Sequence, residues 1–201
     1  KAAFFATIFQ SLTTDPRIDW WLGQVDSKYV IRKVDSSIVN LSSQLLSLGL
    51  KINQGKRDLK FSLDLTNSLP VKIKLFTSQT YASENKALPE VIEVEPNLDF
   101  KKIEIILFDR GVHKLETYQA IAHKANTYFV TRLTNQSYRV LKTHKQVKGR
   151  KTGQLILISD ELISFSSKRA KSQHQDQGNY RLIKAKNPET DREYQFLTNI
   201  F

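Results

Sequence analysis

Alternation of apolar and polar residues organises much of this chain. From Arg57 to Leu65 the order Arg-Asp-Leu-Lys-Phe-Ser-Leu-Asp-Leu keeps a period of two. After the turn residues Thr66-Asn67-Ser68-Leu69-Pro70, Val71 to Phe76 keeps it again. That pattern predicts a hairpin, or two neighbouring antiparallel strands. Two further runs, Tyr29 to Val34 and Ile103 to Phe108, are rich in β-branched and aromatic residues and predict buried strands. Asp35 closes the first of these, and Asp109, before Arg110-Gly111, closes the second.

Helical spacing is rarer. Residues 84–93 predict a short helix interrupted by Pro89, and 113–124 a second, with Leu115, Tyr118, Ile121 and Ala122 on one face. Thr127 to Leu133 predicts a strand, and short strands follow at 154–158, 162–165, 180–185 and 193–198, separated by basic turns. Residues 1–28 read as helical and then irregular, with a break at Asp15-Pro16 and Trp20-Trp21 as anchors on the core. Gly149 to Gly153 and the polar stretch Ser166 to Asn179 are expected to be loops. A strand cluster followed by strand-helix alternation predicts an α/β fold. The expectation is a ribonuclease-H-like mixed sheet flanked by helices, with an all-strand insertion in the second half. On this expectation 1–28 is the tail of a helical region, 29–133 the core, and 134–201 the β-rich insertion.

Charge sharpens the picture. Residues 1–100 hold 12 Lys and Arg against 11 Asp and Glu, whereas 101–201 hold 19 against 9. From Thr117 to Ser159 there is no acid, while Lys124, Arg132, Arg139, Lys142, Lys145, Lys148, Arg150 and Lys151 all fall there. Such a stretch is either an idle basic surface or one that tracks phosphates, with affinity falling steeply as salt rises. The absence of cysteine excludes disulfides and thiolate metal sites. No apolar stretch approaches the roughly 18 residues that span a membrane. The apolar opening, Lys1 to Phe9, lacks a following cleavage site and reads as the tail of a preceding helix. A start at Lys1 without methionine suggests a piece of something longer.

Two carboxylates at strand ends, if side by side, would have to share positive charge. A divalent cation is the usual solution, and in a basic chain a phosphodiester is the natural metal-bridged substrate. The chain also resembles the DDE transposases of bacterial insertion sequences, in the group with a tyrosine-arginine-glutamate-lysine signature. Val34-Asp35-Ser36-Ser37 is similar to that family's first acidic motif and Phe108-Asp109-Arg110-Gly111 to its second. Asp64-Leu65 with Leu69-Pro70, Tyr128 to Leu133, and Tyr194 to Asn199 resemble strands that the family places between and after them.

The sequence departs from the family at Tyr81-Ala82-Ser83-Glu84, where members carry His-Asp, and ends before the third catalytic acid. Glu193 lies in the wrong place to supply it. The resemblance implies hydrolysis and strand transfer at transposon ends, on double-stranded DNA, with magnesium or manganese held by Asp35 and Asp109. It implies a bacterial cytoplasmic protein associated with the nucleoid, and leaves open whether two chains pair on DNA.

The expected nucleic-acid contacts are Arg110, Arg132, Arg139, Lys142, Lys145, Lys148, Arg150 and Lys151; Arg110 and Arg132 could equally be structural ion-pair partners. The four histidines, His113, His123, His144 and His174, lack the close pairing of zinc sites. Gly149 to Gly153 has neither the spacing nor the following helix of a phosphate loop. The rival reading is a non-catalytic, basic DNA-binding module whose acids are vestigial.

Overall fold

A computed structural model describes residues 28–40, 50–51, 57–66, 69–92, 102–109, 112, 114–134, 136–144, 149–165 and 178–201. The chain divides into two compact units, Lys1–Leu107 and Phe108–Phe201.

In unit 1, β1 (Tyr29–Asn40) pairs antiparallel with β3 (Arg57–Thr66), whose far edge takes β2 (Leu50–Lys51) and β4 (Leu69–Phe76). The expected hairpin is β3–β4. β5 (Ile103–Phe108) neighbours β1. Helix α1 (Glu84–Ile92) runs through Pro89 and packs on β1, β3 and β4. It buries Ala87, Leu88, Val91 and Ile92. Asp58, Lys60, Ser62 and Asp64 are the buried residues of β3, while Leu59, Phe61, Leu63 and Leu65 are only half-buried.

Ion pairs and hydrogen bonds satisfy Lys60, Ser62 and Asp64 of this buried polar stripe, while Asp58 Oδ1 has no hydrogen-bond partner among the described residues. Lys60 Nζ reaches Glu84 Oε1 at 2.8 Å and Ala82 O at 3.2 Å, and the Ser36 hydroxyl donates to Glu84 Oε2 at 3.1 Å. Arg32 donates to Asp64 and, at 2.8 Å, to Glu104 Oε1. Burial pulls the Arg32 guanidinium down, but these hydrogen bonds outweigh it and hold its pKa above the ordinary value.

Unit 2 is an antiparallel sheet in the order β6 (Thr127–Arg132), β11 (Glu193–Thr198), β10 (Tyr180–Lys186), β9 (Leu155–Phe165), β7 (Tyr138–Thr143). The two-residue β8 (Lys151–Thr152) pairs with the start of β9, on the same edge as β7. Helix α2 (Leu115–Ala122) covers one face through Thr117, Tyr118 and Ile121. Beneath it Phe108, Tyr118 and Phe129 stack, with ring centroids 5.2–6.2 Å apart. Phe165 and Tyr180 extend the cluster. Burial pushes the Tyr180 phenol up to about 12 and raises that of Tyr118 as well.

The expected α/β, ribonuclease-H-like sheet flanked by helices is corrected by this architecture. Among the described residues strands hold several times as many positions as helices. Among the described residues there are two α-helices, of nine and eight residues. Two such short helices cannot clothe both faces of the sheet material present. Some element bounds differ too. β1 runs past Asp35 to Asn40, and the expected strands 154–158 and 162–165 are one strand, β9. β7 was not expected at all, because Tyr138 to Thr143 carries two cations where an alternating strand would be apolar. The segments around Trp20-Trp21 and Ser166 to Gln177 lie outside the described residues. Among the described residues no helix is long and apolar enough to cross a membrane.

Candidate nucleic-acid interface

Cross-strand pairing decides which side chains of unit 2 share a face, because directly opposed residues point the same way. Arg132 opposes Phe196, Phe196 opposes Ile183, and Ile183 opposes Asp160. Two residues along, Arg181 opposes Leu162. On β7, Arg139 opposes Ser164 and Lys142 opposes Leu162, with a register shift between Val140 and Lys142. Arg132, Arg139, Lys142 and Arg181 therefore occupy one face of the five-stranded sheet. This is the face away from the aromatic core: Arg139 and Lys142 are exposed, whereas Tyr180, Leu182, Ile163, Phe165 and Leu197 on the other face are buried. Four strand spacings of about 4.8 Å make the row about 19 Å wide.

The acids of the same region are turned to cations. Arg181 grips Asp160 with both Nε and Nη2, at 2.8 and 2.6 Å, and this hydrogen bonding holds the Asp160 carboxyl below its usual range despite its burial. Glu161, on the covered face, accepts from Lys184 at 3.0 Å and from Ser159 at 2.8 Å. Burial disfavours the Lys184 charge, but hydrogen bonds to Glu161 and Tyr138 raise its pKa overall.

Asp109 follows the last residue of β5, at the strand end where the sequence placed it, and is half-exposed. Its Oδ1 accepts from both Arg132 Nε, at 2.9 Å, and Arg132 Nη2, at 2.7 Å. Asp35 belongs to unit 1 and lies inside β1, not at its end. It is exposed opposite Leu63, and its Oδ1 accepts the Ser36 amide at 2.8 Å. One Asp109 oxygen is taken by a guanidinium, one Asp35 oxygen by a backbone amide. Among the described residues no group of three or more acids and histidines is gathered for a metal. No chemical step through magnesium or manganese is derived from them.

No protein-family model matches the chain, and no curated protein matches it.

Of the other expected contacts, Arg150 and Lys151 are exposed beside the β7 edge. Arg110, Lys145 and Lys148 lie outside the described residues, as do His113 and His174. Glu193 is the exposed first residue of β11. Sequence reasoning missed Arg181 as a member of the basic face. The available signal was its place in an alternating strand, with Tyr180 and Leu182 turned the other way. The Leu197-Thr198-Asn199 motif has a structural role: Phe129 N donates to Asn199 Oδ1 at 2.8 Å, and Asn199 Nδ2 donates to Thr127 O at 3.3 Å. Thr198 Oγ1 adds a bond to Phe129 O at 2.6 Å. The three residues clamp β11 to β6.

Proposed function

We propose that the chain acts on double-stranded DNA as an insertion-sequence transposase, with unit 2 holding the phosphate backbone. The observation that carries this reading is the single basic sheet face: Arg139 and Lys142 exposed on the edge strand, Arg181 and Arg132 on strands behind it. A row of cations about 19 Å wide is long enough to follow several phosphates of a duplex, which recur about every 3.4 Å of helix axis along each strand. The order of motifs along the chain, from Val34-Asp35 to Leu197-Thr198-Asn199, supports the transposase class. With that class come magnesium or manganese as cofactor, pairing of two chains on transposon ends, and a place at the bacterial nucleoid.

A second reading, the non-catalytic DNA-binding module, is favoured by one contact: Arg132 neutralises Asp109. Titrating duplex DNA at several salt concentrations tests what both readings share. Arg139→Gln with Lys142→Gln should lower the slope of log affinity against log salt by about 2, roughly one per lost phosphate contact. An unchanged slope removes this face from DNA binding. Magnesium-dependent nicking of transposon-end DNA that Asp109→Asn abolishes would select the transposase; binding without nicking selects the module.

A further inference from the structure

We infer that the Arg132–Asp109 pair is a latch opened by DNA: the carboxylate holds the guanidinium until a backbone phosphate displaces it. The inference rests on the DNA reading and adds a regulatory contact to the same face. Unit 2 carries two arginine–aspartate pairs on the outer side of its sheet, and they are built differently. Arg181 and Asp160 meet fork to fork, Nε on Oδ1 at 2.8 Å and Nη2 on Oδ2 at 2.6 Å, and the Asp160 side chain is only 5% exposed. Opening that pair would strand a buried carboxylate, so it stays closed. Arg132 instead sets both Nε and Nη2 on the single oxygen Oδ1 of Asp109, and the two side chains are 41% and 52% exposed. Either partner returns to water at little cost, and an exposed pair of this kind holds weakly.

A phosphodiester competes well for such a guanidinium. It presents two anionic oxygens to the Nε and Nη2 donors and engages both at once, where Asp109 offers them one. Arg132 lies on the face of Arg139 and Lys142, so a duplex laid along that row brings phosphates to it. The aspartate is the fixed half of the pair, because Thr131 Oγ1 on β6 donates to the Asp109 carbonyl at 3.4 Å. The guanidinium, on its long stem, is the half that moves. The cations of the face therefore act in different ways: Arg139 and Lys142 from the first encounter, Arg132 only by exchange, and Arg181 not at all. Exchange also uncovers the Asp109 carboxylate, so that this acid is released only where DNA is bound.

A fluorescein-labelled DNA duplex, titrated with the full chain at low salt and with EDTA present, tests the latch. Asp109→Asn should tighten binding roughly three- to five-fold, because Arg132 then has no anion to leave. Arg132→Gln should weaken binding, and adding Asp109→Asn to it should bring back little or nothing. Should Arg132→Gln lose its far-UV signal, Arg132→Met, which keeps an apolar stem on the strand, takes its place in the cycle. An equal gain from Asp109→Asn in both backgrounds overturns the inference, since it reports only the removal of a negative charge. No gain overturns it too, and a loss would make Asp109 a group that positions Arg132 rather than one that withholds it. If neither the wild-type chain nor any variant binds the duplex, the DNA reading itself falls, and the latch falls with it.

Discussion

The two units use alternating strands in opposite senses. In unit 2 the buried apolar residues of β9, β10 and β11, among them Ile163, Phe165, Tyr180, Leu182 and Leu197, turn to the face that α2 covers and build an aromatic core, with Arg181 and Asp160 turned outward. In unit 1, β3 turns Asp58, Lys60, Ser62 and Asp64 toward α1 and leaves Leu59, Phe61 and Leu63 on the open side. The same period of two thus yields an apolar core in one unit and, along β3, an ionic one in the other. Alternation says that a strand has two unlike faces. Which face is covered depends on what packs there, and α1 brings Glu84 and Glu90 as partners for Lys60 and Lys74. A buried ion pair of this kind returns little net stability over an apolar pair of the same size, but breaking it leaves a charge stranded.

The largest expected effect separates the two cores. Phe129→Ala, in the middle of the unit 2 ring cluster, should destabilise by about 3–5 kcal/mol, measured by urea denaturation. A loss under about 1 kcal/mol would mean that the rings do not form a packed core. In unit 1, Glu84→Ala should cost about 2 kcal/mol, scaled down from a fully buried pair because Glu84 is one-third exposed. Lys60→Met with Glu84→Leu should recover most of that loss. If the double variant is as unstable as the single, the ionic reading of the β3 face is wrong.

Smaller effects sharpen the contrast within unit 2. Asn199→Ala removes the acceptor of the buried Phe129 amide and should cost about 1–3 kcal/mol, with amide exchange at Phe129 accelerated. Asp160 contributes through its ion pair with Arg181. Its folded pKa lies below the unfolded value of about 3.9, so its stabilisation is present above that pH and is lost as pH falls through the folded value. Asp160→Asn should therefore lower stability at neutral pH and flatten the acid limb of the stability profile; parallel profiles would exclude the pairing. Smallest of all, Asp109→Asn should change stability by under about 1 kcal/mol, because both it and Arg132 are well exposed.

The sequence made the strands legible where apolar residues alternated or ran together, as at β3, β4, β5, β6, β10 and β11. Both helices were legible from spacing, although Ala122, expected on the inner face of α2, is exposed. It missed β7, whose Arg139 and Lys142 read as turn material, and it split β9 because Ser159-Asp160-Glu161 looked like a break. Those two acids stay within a continuous strand because Arg181 and Lys184 on β10 neutralise them, a long-range fact that no local window contains. The fold class failed for a related reason. Strand-helix-strand order was visible, but not how little of the sheet two short helices cover. At the candidate site, Asp109 was placed correctly at a strand end and Asp35 was not. Arg132 was rightly offered as either a phosphate contact or an ion-pair partner, and the structure makes the ion pair.

The register shift in β7 has a consequence for how charge is written along a strand. Arg139 and Lys142 are separated by an odd number of positions, so strict alternation would send them to opposite sides. The single surplus residue between Val140 and Lys142 changes the parity of everything after it and returns Lys142 to the side of Arg139. Removing Leu141 would leave net charge untouched and restore strict alternation, with Lys142 still opposite Leu162 on the side of Arg139. Straightening the strand with Leu141 kept, so that Leu141 faces Leu162, would instead turn Lys142 to the other side: the chain would lose no cation, yet its outer surface would lose one.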